Sequence, residues 1–112
     1  WLPFGDDHAA LSVDAQSADP HSLLNLTRAA LALRKAHPTL AAGNIAIVHC
    51  EAQILAFERL SGDERILAVF NLGPDDAPWP ARLPTTGTVL MAVNEAAPGT
   101  LPGHGALLFA PA

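Results

Sequence analysis

Apolar residues in the first half of the chain recur at the spacing of an amphipathic helix and cover about half of the helical wheel. Asp19-Pro20 predicts the start of this helix, because aspartate accepts hydrogen bonds from free backbone N–H groups and proline suits the first helical position. Pro38 predicts its end at His37, since proline disfavours the α conformation of the residue before it. The apolar face comprises Leu23, Leu24, Leu26, Ala30, Leu31 and Leu33.

The segments on either side of this helix have a different character. Residues 1–18 show no sustained period and are predicted as loop with at most one short turn. After Gly43 the pattern becomes one of short strands separated by turns, with a further weak strand near Arg82 and no intervening helix, which predicts an antiparallel sandwich or barrel-like β domain. The five predicted strands are Asn44–Cys50, Gln53–Leu60, Arg65–Leu72, Thr88–Asn94 and Gly105–Pro111. The predicted fold class is therefore mainly β with one N-terminal helix.

The composition of the chain limits the kinds of partner that it is expected to bind. The chain has 112 residues, 50% of them hydrophobic and 15% charged, which suits one globular core. Its net charge is −5 and Lys35 is its only lysine, so we expect neither a nucleic-acid nor a membrane partner. The opening residues lack the pattern of a signal peptide and an initiating Met, so we expect Trp1 to be an internal point of a longer chain.

The residue types that carry chemistry form no catalytic or metal pattern. The five histidines show no i, i+4 pairing, and the serines lack a nucleophile-elbow context, so no metal, cofactor or nucleophile is predicted. Asp63 and Glu64 are predicted to be solvated charges of a turn, and Cys50 to be a buried small apolar residue. Trp1 and Trp79 could stack on a sugar ring, although packing at the edge of the core is favoured for Trp79.

The segment "VDAQSADPHSLLNLTRAALALRKAHPTLAAG" resembles the end of the catalytic barrel in α-glucosidases of the α-amylase superfamily, glycoside hydrolase family 13. The family pattern is V-x-x-Q-x-x-D-x-x-S-x-L-x-x-x-R-x-L-x-x-L-R-K-x-H-P-x-L-x-x-G. "WLPFGDDH" is similar to the loop that precedes this segment in those enzymes, and the later strands are loosely similar to their C-terminal β domain. The matching positions are Val13, Gln16, Asp19, Ser22, Leu24, Arg28, Leu33, Arg34, Lys35, His37, Pro38, Leu40 and Gly43.

The resemblance implies where the domains of this chain divide and which part of the parent enzyme carries out catalysis. Residues 1–43 would be the end of the barrel, including its last helix, and residues 44–112 the C-terminal antiparallel β-sandwich. The parent would hydrolyse or transfer α-linked glucose by a retaining mechanism, which uses two carboxyl groups about 5 Å apart. In the family those groups precede the position of Trp1, and no aspartate near the start of this chain matches them. We therefore expect no catalytic residue, and Trp1 as the one weak candidate for substrate binding.

The implied partners are the catalytic (β/α)8 barrel of the parent chain, the parent's α-glucoside or oligosaccharide substrate, and a second copy of the chain through residues 20–37. A cytoplasmic, bacterial location is expected. Arg34 falls inside the apolar arc of the helix, which predicts either a paired guanidinium or a position at the rim of the packing. The alternative function is a stand-alone carbohydrate-binding β-sandwich module, which would require an exposed aromatic platform.

Overall fold

The computed structural model describes residues 3–112, so Trp1 lies outside the described residues. The chain divides into two compact units, Trp1–Ala36 and His37–Ala112. The first unit contains helices α1 (Val13–Ala18) and α2 (Leu23–Ala36). The second contains α3 (Pro38–Ala42) and five strands: β1 (Asn44–Glu51), β2 (Ile54–Ser61), β3 (Glu64–Asn71), β4 (Gly87–Val93) and β5 (Ala106–Pro111). A mainly antiparallel β fold with an N-terminal helix is confirmed. The assignment of residues 1–43 to a barrel stays a prediction.

The long helix forms where the apolar period predicts it, but its start was predicted wrongly. Ser22, not Asp19, precedes the helix, and its hydroxyl accepts a hydrogen bond from the backbone N–H of Asn25 at 3.2 Å. Asp19 ends α1 instead, and its carboxylate accepts from the backbone N–H of His21 at 2.8 Å. The prediction of loop through residue 18 is wrong at α1, which the hydroxyl of Ser12 caps at its N-terminus.

Pro38 ends α2, as predicted, and also begins a helix that was not predicted. His37 is extended, with φ −116° and ψ 91°, because the proline ring crowds the α conformation of the residue before it. Proline then occupies the first turn of α3, where its missing N–H removes no helical hydrogen bond. Gly43 follows α3 at a close approach of backbones, since a Cβ there would lie 2.6 Å from the carbonyl oxygen of Thr39.

The five strands form one antiparallel sheet in the order β1-β2-β3-β5-β4. Every predicted strand is present, and every boundary lies within one residue of its predicted position. The weak strand near Arg82 was predicted wrongly; the segment is a turn, closed by a hydrogen bond from the N–H of Leu83 to the carbonyl of Pro80. The edge strands β1 and β4 each carry a register irregularity, between Ile47 and His49 and between Val89 and Met91.

One face of the sheet carries the main hydrophobic core. The chain segments that join β3 to β4 and β4 to β5 cross this face and supply the layer above it, so the domain has two layers. Trp79 lies at the edge of this core, as favoured from the sequence: its ring is tilted against Phe109 at 6.2 Å between centroids, and its Nε1 donates to the carbonyl of Leu83 at 3.3 Å. The buried members are Ile54, Ala56, Leu67, Val69, Leu83, Ala96, Leu101, Leu107 and Phe109.

Asn71 fixes the segment that follows β3. It is 2% exposed, and its Nδ2 donates to the carbonyls of Asp75 at 2.8 Å, Pro102 at 2.9 Å and Leu101 at 3.3 Å. Its Oδ1 accepts from the N–H of Gly73 at 3.0 Å. One buried amide therefore ties the β3–β4 segment to the β4–β5 segment, in addition to the backbone hydrogen bond that the N–H of Ala77 donates to the carbonyl of Leu101.

Candidate functional site

Gln16 joins the two helices of the first unit. Its Oε1 accepts from the N–H of Leu24 at 3.1 Å, and its Nε2 donates to the carbonyl of Leu11 at 2.8 Å. Its own carbonyl accepts from the hydroxyl of Ser22 at 2.6 Å and from Nδ2 of Asn25 at 3.0 Å. The motif positions that carry the family resemblance in this segment thus cap the start of α2 and close the corner between α1 and α2.

His37 and Glu64 form a hydrogen-bonded pair of ionisable side chains in the second unit. Nδ1 of His37 lies 2.6 Å from Oε1 of Glu64, so the start of α3 is held against the start of β3. The hydrogen bond with His37, assisted by a second from Thr39, lowers the pKa of the Glu64 carboxyl. Nε of Arg59 also donates to the carbonyl of Thr39 at 3.3 Å. The prediction of a solvated turn charge is therefore wrong for Glu64, while Asp63 is exposed as predicted.

We expect Glu64→Gln to lower the urea midpoint of unfolding at neutral pH. We also expect the midpoint of this variant to change less than that of the wild type as the pH falls. A carboxyl whose pKa is lower in the folded state stabilises the fold above its unfolded pKa of about 4.3. That contribution disappears as the pH falls through the lower folded value. Asp63→Asn removes the same charge from the same turn without the ion pair and serves as the control. Parallel curves for wild type and Glu64→Gln between neutral and acid pH would contradict the expectation.

Large apolar side chains are exposed in both units. No residue of α2 is buried, and Leu23 and Leu31 are 72% and 62% exposed. On β1, Ile45 and Ile47 are 58% and 62% exposed and share one face of the strand, because side chains two apart point the same way. Arg34 is exposed in this chain. Apolar side chains grouped in this way on a helix and a strand are typical of surfaces that contact another chain or domain.

The second unit also has an open cleft of about 480 Å³ between the β1–β2 turn and the segment that follows β3. Its lining includes the apolar residues Ile54 and Trp79 and the acidic residues Glu51 and Asp75. His49 lies at one end, where its Nδ1 is 3.1 Å from Nη2 of Arg82. Of the two tryptophans named as possible sugar platforms, the structure describes Trp79 alone, and this residue lines the cleft.

Other sequence-based expectations have mixed outcomes. Cys50 is exposed, so its predicted burial is wrong: it lies on the edge strand β1, most of whose residues are exposed. Within residues 3–112, no three His, Cys, Asp or Glu side chains are grouped so that they could hold a metal ion. In the same range no helix is long and apolar enough to cross a membrane. The absence of a catalytic residue stays a prediction.

Known proteins resemble this chain in sequence and in fold, although no family model matches it. A probable alpha-glucosidase of Rhizobium meliloti (strain 1021) is 39% identical over 77 residues, which are 69% of this chain and 14% of that protein. A mutant of trehalulose synthase MutB superimposes with a TM-score of 0.86 at 18% identity, over 98% of this chain and 21% of the other. A MutB mutant in complex with the substrate sucrose gives a TM-score of 0.85 at the same identity and coverage of 98% and 21%.

The shared fold covers nearly the whole chain, while the chain spans 14% of the curated relative's length and 21% of each of these two MutB chains. The sequence match and the structural match therefore both relate it to a small part of a longer enzyme. The residues that carry the family pattern, Gln16 and Ser22 at the α1–α2 corner and His37-Pro38 before α3, have the structural roles described above. The chain belongs to the α-amylase superfamily, glycoside hydrolase family 13, as a C-terminal segment of the α-glucosidase type.

Proposed function

We propose that the chain is the non-catalytic accessory portion of an enzyme that hydrolyses or transfers α-linked glucose by a retaining mechanism. Its role is to bury apolar surface against the catalytic (β/α)8 barrel of the parent chain and so to stabilise that barrel. The observation that carries this proposal is α2, a helix of 14 residues none of which is buried. A helix of this length is marginal in water by itself, so its leucines need a packing partner.

Burial of the exposed leucines of α2 against a partner surface would be energetically favourable. Full burial of a leucine side chain contributes about 1.5–3 kcal/mol, and Leu23 and Leu31 are both mostly exposed in this chain. The chain spans 14% of a protein described as a probable alpha-glucosidase. The packing partner of α2 would then come from the rest of such a protein. A catalytic barrel in the remaining length would offer the apolar surface that α2 lacks.

The chemistry of the parent would then come from other parts of its sequence. A retaining glycosidase places a nucleophilic carboxylate and an acid/base carboxyl about 5 Å apart, and water resolves the glycosyl intermediate. Asp19, the aspartate of this chain that matches the family pattern, has its carboxylate engaged with the N–H of His21. An α-glucoside or oligosaccharide is the proposed substrate, and a bacterial cytoplasm the proposed location.

We expect the purified chain alone to release no glucose from maltose or from an aryl α-glucoside, because it lacks the carboxyl pair. Addition of the chain to the separately produced barrel portion of the parent should restore activity and raise the barrel's melting temperature. The barrel portion without the chain is the control. Turnover by the chain alone that survives a test for host glucosidase would contradict the proposal, as would a barrel that is fully active and equally stable without it.

A further inference from the structure

We propose that the cleft between the β1–β2 turn and the β3–β4 segment binds a neutral pyranose, as one unit of an oligosaccharide. Its volume of about 480 Å³ falls within the range typical of small-ligand sites. The site lies entirely within residues 37–112, and the inference does not depend on the proposed function of the parent.

The apolar wall of the cleft suits the C–H face of a sugar ring. Ile54, Trp79 and Pro80 line it, and the indole is half-buried, so part of its surface remains open to the cleft. The ring is held in place from behind by Phe109 and by its hydrogen bond to the carbonyl of Leu83. A ring fixed before binding loses little rotational freedom when a ligand stacks on it, which favours affinity.

The polar groups of the cleft are mainly acceptors, which suits a ligand rich in hydroxyl donors. Glu51 lies on one wall of the cleft and Asp75 on the other, and both residues are exposed. Within the described part of the chain, neither carboxylate accepts a hydrogen bond from another residue. Hydroxyl groups that donate to a carboxylate make charge-assisted hydrogen bonds, which are stronger than neutral ones. His49 adds a group that can donate or accept.

The alternative ligand, a metal cation, is disfavoured by the same residues. No group of three metal-ligating side chains occurs within residues 3–112, and the guanidinium of Arg82 at the His49 end adds a positive charge. A neutral polyol uses the two carboxylates without requiring that they converge on one point. The residues therefore favour a sugar over an ion.

Hydrogen bonds around the cleft hold its two walls in fixed positions relative to each other. Nε2 of Gln53 donates to the carbonyl of Asp75 at 2.9 Å, and the N–H of Leu72 donates to the carbonyl of Gln53 at 2.8 Å. Asp76, beyond Asp75, accepts through Oδ1 from the N–H of Gly103 at 3.2 Å. The β3–β4 wall is thus tied both to the β1–β2 turn and to the layer that covers the core, so the cleft is formed before a ligand arrives.

The test is a titration of the chain with maltotriose, monitored by nuclear magnetic resonance. We expect the indole N–H signal of Trp79 and the amide signals of residues 49–53 and 75–80 to shift together, with a dissociation constant in the millimolar range. The double variant Glu51→Gln/Asp75→Asn should weaken binding about tenfold. Asp63→Asn/Glu95→Gln makes the same change of charge at residues that do not line the cleft and should bind like the wild type.

Two results would overturn the assignment. Cleft signals that stay fixed up to tens of millimolar maltotriose would show that no sugar binds there. Cleft signals that move with calcium chloride and not with maltotriose would assign the cleft to cations.

Discussion

Asn71→Ala should lower the free energy of unfolding of the β domain by about 2–4 kcal/mol, because it removes the four hydrogen bonds of a buried amide and leaves the N–H of Gly73 without its acceptor, a loss that alone costs about 1–3 kcal/mol. The amide of Asn71 serves three carbonyls and one N–H from a position that is 2% exposed. Urea unfolding followed by circular dichroism measures the effect.

Asn44→Ala is the control for Asn71→Ala. Asn44 begins β1, is exposed and makes no side-chain hydrogen bond within the described part of the chain other than with solvent, so we expect a change within about 0.5 kcal/mol. Similar midpoints for the two variants would mean that the hydrogen bonds of the Asn71 amide contribute little to stability. The role of Asn71 in holding the two connecting segments together would then be wrong.

The isolated chain is expected to self-associate through residues 20–37 and to become monomeric as Leu23→Glu/Leu31→Glu. Within the described residues Leu23 and Leu31 are 72% and 62% exposed, and association with a second copy would remove this apolar surface from water. Two charges on that face oppose the association. Sedimentation at tens of micromolar measures the oligomeric state, and circular dichroism shows whether the β domain is retained.

Ala32→Glu/Ala36→Glu is the matched control for the leucine variant. Both alanines are exposed and lie on the opposite side of the α2 wheel, so this variant adds the same charge and should associate like the wild type. A monodisperse wild-type monomer would contradict the expectation. Equal dissociation by both double variants would mean that net charge, rather than the leucine face, controls association.

The strands were predictable because alternation and β-branched runs are local signals. Each of the five was predicted to within one residue, and the turn around Gly62, with φ +57°, was recognised from its residue types. Helices α1 and α3, of six and five residues, are too short for an apolar period to appear. Their ends depend on the hydroxyl of Ser12 and the ring of Pro38, and those signals also occur in ordinary turns.

The contacts that build the candidate sites join residues far apart in the sequence. Glu64 pairs with a histidine 27 positions earlier, and Asn71 reaches a carbonyl 31 positions later, so neither partner is visible from neighbouring residues. Cys50 was predicted to be a buried small apolar residue because no cationic partner is evident near it in the sequence. Only the strand order shows that β1 lies at an edge of the sheet. The cleft depends on the same order, since it forms where a hairpin turn meets a later connection.

The irregularities in β1 and β4 bear on how copies of this domain meet. Both strands border the sheet, whereas the β2–β3 and β3–β5 ladders between them run without a shift. A bulge bends its strand and increases the local twist, so a straight foreign strand does not align along that border. Edge-to-edge addition of foreign strands, by which a sheet grows into a fibril, is therefore disfavoured on both sides.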